Sequence, residues 1–403
     1  MKRSKNKKNV IWLHSHFLYW MGGTKFIYQV ISEIKKSRKI GKIIIGVERS
    51  SNLIKKNYQE IGLEINEINV ISSNNIFYWL LLPVFLLVDL LNLRRLIKKN
   101  NLKLKDTIVI SSMFPMNVVA EFSGIKHIQN CYEPFAFFYD EEFISQFSWL
   151  KKIFLKILAL IYIPLDTWAT KRAEVLLTLN TTTQKTIKTV YGRNSVKTQA
   201  GVDSSFFKPY VSVAVQKKYH GRKIVIHSTD YSPVKGTDKV ITAFARVVEA
   251  IPEALLLITT TIDDSARRTV YEQLTEKLRI HNKVRFLGFV PIKLLPQYYS
   301  LASAMVQGAS SEKSGTTSMS LPVKEAMCCE TPAIRPDMGG EDVQDNKTGF
   351  LVDPNNTHLL TKKIIFLLRH DALAKKMGKM ARKTIKEKYT WKKTAQVFLD
   401  QLR

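Results

Sequence analysis

The chain is poor in several things that would mark a small secreted, fibrous or disordered protein. Its 403 residues include three cysteines, Cys131, Cys328 and Cys329, an odd number with no zinc-ligand spacing. That excludes a disulfide scaffold and suits a reducing cytoplasm. Glycine (17) and proline (13) are scarce, which excludes collagen-like repeats and Gly/Pro-rich disorder. Acidic residues are the most telling shortage: 34 Asp+Glu face 62 Lys+Arg, a formal charge of +28. Such an excess calls for an anionic partner: nucleic acid, an anionic membrane surface or a phosphorylated substrate.

Uninterrupted apolar runs are also lacking. The basic start turns apolar, but the run is short and broken by His14 and His16. With no small-residue cleavage site after it, residues 10–14 read as a buried strand rather than a signal peptide. Residues 76–93 are the one transmembrane candidate, and they contain Pro83, Asp89 and Asn92. Strand-like runs at 42–48 and 107–111 flank them, and two strands of one sheet cannot sit on opposite sides of a bilayer. A buried helix or one dipping its apolar face into a membrane remains, with Arg94, Arg95, Lys98 and Lys99 placed to reach headgroups. Residues 151–172 offer the same pair of readings.

Apolar residues make up 45% of the chain, enough for two ordinary domains with real cores. Strand-like runs at 10–14, 42–48, 107–111, 127–131 and 175–179 alternate with helical stretches at 24–37, 77–99 and 147–171. The pattern restarts with strands at 223–227, 255–260, 284–286, 304–307 and 332–334, separated by helices including 237–250 and 357–368. Alternation of this kind predicts an α/β fold of two Rossmann-like, doubly wound parallel-sheet domains. The seam is expected near 201–219, with domains at 1–205 and 206–385. The basic stretch from Lys362 onward reads mainly as a solvated helix face.

Several loops carry chemistry. Gly22-Gly23 opens a helix after the first strand, where backbone N–H groups can approach an anion, although a tight turn accounts for the pair equally. Ser232-Pro233-Val234-Lys235-Gly236 follows the first strand of the second half, at a carboxyl end where ligands bind in open sheets. In order and spacing, these join GVD and FKP at 201–209, GFVP at 288–291, LPVKEAMCCETP at 321–332, GG at 339–340 and TGFLVDP at 348–354. Together they resemble the family-4 (group 1) retaining glycosyltransferases of the GT-B fold over nearly the whole chain.

The resemblance implies a cleft enzyme whose first domain holds the acceptor and whose second holds a nucleotide-diphosphate sugar. A last helix, about 386–403 and anchored by Trp391, crosses back to the first domain. By position, Glu325 matches the glutamate that binds the nucleotide ribose, and Lys235 the lysine that holds the diphosphate. Gly22 and Gly23 match a loop meeting the donor phosphate. Met319, Ser320 and Leu321 match a loop whose N–H groups contact diphosphate and sugar, and Phe289 and Val290 flank the base. No resident cofactor or metal is implied.

Three positions depart from the pattern. The family's first motif glutamate falls on Thr317, favoured by the unbroken downstream frame, or is replaced by Glu312 from a longer loop. An arginine expected near the diphosphate is Asp230, leaving Arg335 as a substitute cation. A histidine expected before Glu-Pro is Tyr132, followed by Glu133. His14, His16 and Asp342 are further polar candidates, each with a structural alternative. The resulting expectation is transfer of a sugar to a lipid-linked or surface-polysaccharide acceptor, in the cytoplasm at the inner face of a membrane. Alternatives are a weak or inactive homologue serving as a partner subunit, and a nucleic-acid-binding protein, for which no motif is found.

Overall fold

The computed structural model describes residues 7–73, 75–260, 265–309, 321–337 and 341–402. The chain divides into two compact units. One comprises residues up to Gln199 and the segment from Trp391; the other runs from Ala200 to Thr390.

In the first unit the described strands are β1 (Lys8–Phe17), β2 (Ile40–Ser50), β3 (Ile65–Glu67), β4 (Thr107–Ser111), β5 (His127–Asn130), β6 (Val175–Thr178) and β7 (Val196–Lys197). They form one parallel sheet in the order β3-β2-β1-β4-β5-β6-β7. The central strands carry apolar runs because helices cover both faces of the sheet. Val10, Ile11, Trp12 and Leu13 are all fully buried.

The second unit repeats the plan with β8 (Lys223–Thr229), β9 (Ala254–Thr260), β10 (Val284–Phe289), β11 (Ala304–Val306), β12 (Ala333–Arg335) and β13 (Gly349–Leu351). Its order is β10-β9-β8-β11-β12-β13, again parallel. The helix Thr237–Ala250 buries Val240, Ile241, Phe244 and Val247 at helical spacing against this sheet. Helix Asp371–Lys388 buries Ala374, Met377, Ala381 and Ile385, leaving its lysines to solvent. The Ala200–Asp203 stretch, placed in the first domain by a boundary after 205, belongs to the second unit. Val202 is buried in its core and its N–H donates to the Tyr389 carbonyl at 2.8 Å.

Two long apolar segments deserve separate description. The single helix expected over 77–99 is two helices, Ile76–Leu80 and Leu82–Lys99, broken at Leu81. Pro83 has no N–H to donate and sits in the first turn of the second helix, where none is needed. β2 and β4 on either side of this segment belong to one sheet through β1. The segment therefore does not span a bilayer. Its polar residues face inward: Asp89 accepts from Asn69 (2.9 Å) and from the Tyr78 hydroxyl (3.2 Å), and Asn92 donates to the Ile68 carbonyl (2.8 Å). Helix Trp149–Arg172 runs through Pro164 without interruption.

The last helix, Trp391–Gln401, completes the first unit. Trp12 lies 5.4 Å from Phe398 and Phe26 lies 5.7 Å from Trp391, centroid to centroid. Thr394 donates to the Gln199 carbonyl at 2.8 Å. Phe398→Ala would leave a cavity between this helix and helix Gly22–Ile34, and should destabilise the first unit by about 3–4 kcal/mol. Denaturant unfolding followed by fluorescence should show this as an earlier transition of the first unit, with the second unit's transition unmoved.

Candidate active site

In each sheet the strand order reverses once, between β1 and β4 and between β8 and β11. At such a reversal the loops leaving the two strands diverge and open a crevice at their carboxyl ends. Most of the described candidate residues stand at these two places.

In the second unit, β8 leads into Asp230. Its Oδ1 accepts from the Ser232 N–H (2.9 Å) and hydroxyl (2.5 Å), which turns the chain. Pro233–Lys235 form one 3-10 turn, ended by Gly236 in the left-handed region at φ +62°. A β-carbon on Gly236 would lie 1.7 Å from the Gly308 carbonyl oxygen, and one on Gly308 would lie 2.2 Å from the Gly236 oxygen. Two bare backbones thus meet where the loops after β8 and β11 leave the sheet, with Lys235 beside the junction.

A buried polar chain fixes this junction from behind. His227 Nδ1 donates to the Val306 carbonyl (2.9 Å), so its Nε2 accepts from the Thr237 hydroxyl (3.0 Å). Thr229 then donates to Thr237 (2.8 Å) and accepts from the Tyr231 N–H (2.9 Å). Burial pushes the His227 ring down to about 4, more than the Val306 hydrogen bond raises it. The ring is therefore neutral and holds one tautomer.

Glu325 is buried on helix Leu321–Cys328, and its Oε2 accepts from the Tyr299 hydroxyl at 3.3 Å. The same hydroxyl also faces Ser228 at the end of β8, so Glu325 stands on the carboxyl side of that strand. Leu321 is the first residue of its helix and is buried. Phe289 ends β10 with 63% of its surface exposed, and Val290 after it is buried. Phe289 pairs with Thr260 at the end of β9, on the same carboxyl edge. Thr317, Glu312, Met319 and Ser320 lie outside the described residues.

The cation pattern differs from the expected one. Lys235 Nζ lies 3.8 Å from Asp230 Oδ2. Burial raises the Asp230 carboxyl, but Lys235 and the Ser232 hydrogen bonds outweigh it and hold the group below the ordinary carboxylate value. Arg335 does not replace the missing arginine. It is buried and its Nη1 reaches both oxygens of Asp342 at 2.8 and 2.7 Å. Asp342 is engaged by the same pair, with Lys324 Nζ at 3.9 Å, and its Oδ1 also accepts from the Val343 N–H at 3.1 Å, the local contact expected of a turn cap. Burial pushes Lys324 down to about 8 despite Asp342.

In the first unit, helix Gly22–Ile34 opens directly on the glycine pair, with Met21 extended before it. Thr24 ties this entry to the Tyr19 carbonyl (3.0 Å), leaving first-turn N–H groups without intrahelical partners. Tyr132 Cε2 lies 4.0 Å from where a β-carbon on Gly23 would stand, and its ring meets Phe26 edge-on at 5.5 Å. The Tyr132 hydroxyl faces Ser112 and Asn130, and burial pushes it far above its ordinary value. Tyr132 is thus a neutral wall of the β1/β4 crevice. His14 and His16 end β1; burial pushes His14 down to about 3 and also lowers His16. Residues that sequence reasoning missed are Tyr299, Gly308 and the His227–Thr237 pair. Gly308, two residues beyond the short strand β11, was the readable signal.

Residues 212–384 match the family profile described as glycosyl transferases group 1. The chain is 29% identical over 197 residues to N-acetyl-alpha-D-glucosaminyl L-malate synthase of Bacillus anthracis, a match covering 46% of this chain and 49% of that one. It is 26% identical over 211 residues to a GDP-mannose-dependent alpha-(1-6)-phosphatidylinositol monomannoside mannosyltransferase of Mycobacterium tuberculosis, covering 50% and 54%. The chain thus spans about half the length of the relatives it matches. Anabaena HepE, solved in complex with UDP, superposes with a TM-score of 0.75 at 14% identity, over 98% of this chain and 99% of that one. The two all-parallel units and this likeness establish the GT-B fold.

Two outcomes follow from the junction. Gly236→Ala adds a strained backbone to a direct clash with Gly308 and should destabilise the second unit by about 2–4 kcal/mol, read by chemical unfolding. His227 also sets an acid limit. Its folded value lies below the unfolded 6.5, so its contribution is full above pH 6.5 and is lost as pH falls towards 4. That loss amounts to about 3 kcal/mol, and His227→Gln should flatten the slope of stability against pH in this window.

Proposed function

We propose that the chain transfers a sugar from a nucleotide-diphosphate sugar to a lipid-linked or surface-polysaccharide acceptor, with retention of anomeric configuration. The observation that carries this reading is the β8/β11 junction, where Lys235, the touching Gly236 and Gly308 backbones, and Glu325 stand at one strand reversal. The resemblance supplies the roles. Lys235 neutralises the diphosphate, Glu325 accepts ribose hydroxyls, Phe289 and Val290 lie beside the base, and the Gly22-Gly23 helix start offers N–H groups to phosphate. HepE complexes with UDP-glucose support the donor class, and the mannosyltransferase named for a phosphatidylinositol monomannoside supports the acceptor class.

The chemistry is transfer of a glycosyl group from a phosphate oxygen to an acceptor oxygen. The bond from the anomeric carbon to the diphosphate breaks, and the acceptor hydroxyl attacks the same face. Its proton passes to the departing phosphate oxygen, so no protein base is needed at Tyr132. Charge builds on the leaving diphosphate, and a lysine with fixed N–H dipoles stabilises it more than the ground state. The reading uses no resident metal or cofactor. Three free, buried cysteines suit a cytoplasmic setting.

One observation favours a second reading, a weak homologue acting as a partner subunit: Asp230 puts a negative charge beside Lys235. Turnover by the purified chain alone decides between the two.

A thermal-shift screen against nucleotide sugars, followed by transfer assays, tests the proposal, since ligand affinity raises stability directly. Lys235→Ala should lower turnover by about a hundredfold or more, and Glu325→Ala should abolish the nucleotide-dependent shift. A wild-type chain that binds no nucleoside diphosphate sugar, or a product with inverted anomeric configuration by NMR, would overturn it. Asp230→Arg should tighten donor binding by about tenfold.

A further inference from the structure

Helices Leu82–Lys99 and Trp149–Arg172 carry apolar residues on an outer face as well as on the buried one. Each contains a single acidic residue, Asp89 and Asp166, and both carboxylates are buried. Asp166 Oδ2 accepts from the Tyr139 and Tyr191 hydroxyls (3.0 and 2.8 Å), and its Oδ1 accepts from Asn117 (2.7 Å). Beside the buried apolar residues, a second apolar set faces out. Phe77, Leu80, Val84, Leu87 and Leu91 are exposed at spacings of three and four, one face of the two short helices. The same face continues as Arg94 and Lys98, both exposed. On the longer helix, Trp149, Ile153, Ile157, Leu160, Pro164 and Trp168 repeat the pattern, with Leu160 at 80% exposure and Trp149 at 68%. Lys156 and Lys171 are exposed beside them.

The helices that carry these faces border one core. Tyr78, Leu82, Leu86, Leu158 and Tyr162 share one core cluster, and the Tyr162 hydroxyl donates to the Trp79 carbonyl at 3.4 Å. Both helices therefore turn their outer faces away from the same core. A monomer surface seldom leaves so many large apolar side chains in one patch without a partner. Helix Trp149–Arg172 is long and apolar enough to cross a membrane. However, β5 before it and β6 after it pair with each other, which a single crossing forbids.

We propose that this double face lies on an anionic lipid bilayer, with the apolar stripes in the acyl–headgroup boundary and the flanking cations on lipid phosphates. Charge selects this occupant. Every charge on the outer faces of these helices is positive, which complements an anionic surface. A second copy docked symmetrically would set the same cations against each other. Long basic side chains can keep their charge at the headgroups while their stems lie along apolar surface.

Co-sedimentation of the full chain with vesicles tests this, and it reads out nothing about sugar transfer. The wild type should pellet with equimolar phosphatidylcholine and phosphatidylglycerol, far less with phosphatidylcholine alone, and less as salt rises. Leu80→Glu with Leu160→Glu should weaken pelleting by at least about tenfold with thermal unfolding unchanged, because both positions are solvent-exposed. Arg94→Glu with Lys98→Glu should remove the preference for the anionic lipid. The proposal is overturned if the wild type stays in the supernatant, or if the Leu80→Glu/Leu160→Glu protein pellets as well as the wild type. It is equally overturned if that variant converts a vesicle-free dimer to monomer in sedimentation velocity, which would identify a second copy as the occupant.

Discussion

The contact between the Gly236 and Gly308 backbones is the constraint on which the second unit's site depends. A β-carbon on either residue would lie about 2 Å from the other's carbonyl oxygen. With both positions bare, the loop after β8 closes against the chain leaving β11, and Lys235 is delivered to the strand reversal. The polar chain from the Val306 carbonyl through His227, Thr237 and Thr229 then ties the two strand ends together beneath it. Glu325, reached through Tyr299, stands on the same side of the sheet. A neutral imidazole suits this place, since burial outweighs every influence that would favour a second cation beside Lys235.

Charge is handled differently at depth and at the surface. Asp342 is buried with Arg335 and Lys324, so one carboxylate serves two cations. A carboxylate so placed holds two buried cations together, which is a structural role. Asp230, by contrast, is partly solvated and meets Lys235 at a looser 3.8 Å, a contact that a diphosphate could replace. The large positive excess is spread over helix surfaces. Only a small part of it stands near the candidate donor site.

The two-unit parallel architecture was legible because buried strands read as apolar runs and the helices between them keep a 3.6-residue period. The expected helix over 237–250 matches the observed one, and the strand at 107–111 matches β4. Elements without a strong apolar signature were not legible. β7 is two exposed residues, Val196 and Lys197, paired only along one side, and helix Thr181–Tyr191 is mostly threonine and lysine with three buried positions. At the site, Lys235 and Glu325 could be read because their motifs are local in sequence. Tyr299 and the Arg335–Asp342 pair could not, since a hydrogen bond between two helices, or an ion pair from a strand end to the loop after it, leaves no spacing rule behind. The run 76–99 misled in detail because Pro83 permits one continuous helix or a break, and only packing around Asp89 decides.

The last helix has a consequence for how the protein is made. A ribosome emits Trp12 and Phe26 early, yet their partners Phe398 and Trp391 emerge only after the entire second unit has been translated. At ordinary elongation rates that delay is on the order of twenty to seventy-five seconds. During that interval the nascent first unit holds an open aromatic seam, in addition to the apolar outer faces of its helices. Closure thus waits for translation of the second unit, and a chain that stalls before Trp391 leaves this seam available to chaperones or to wrong partners.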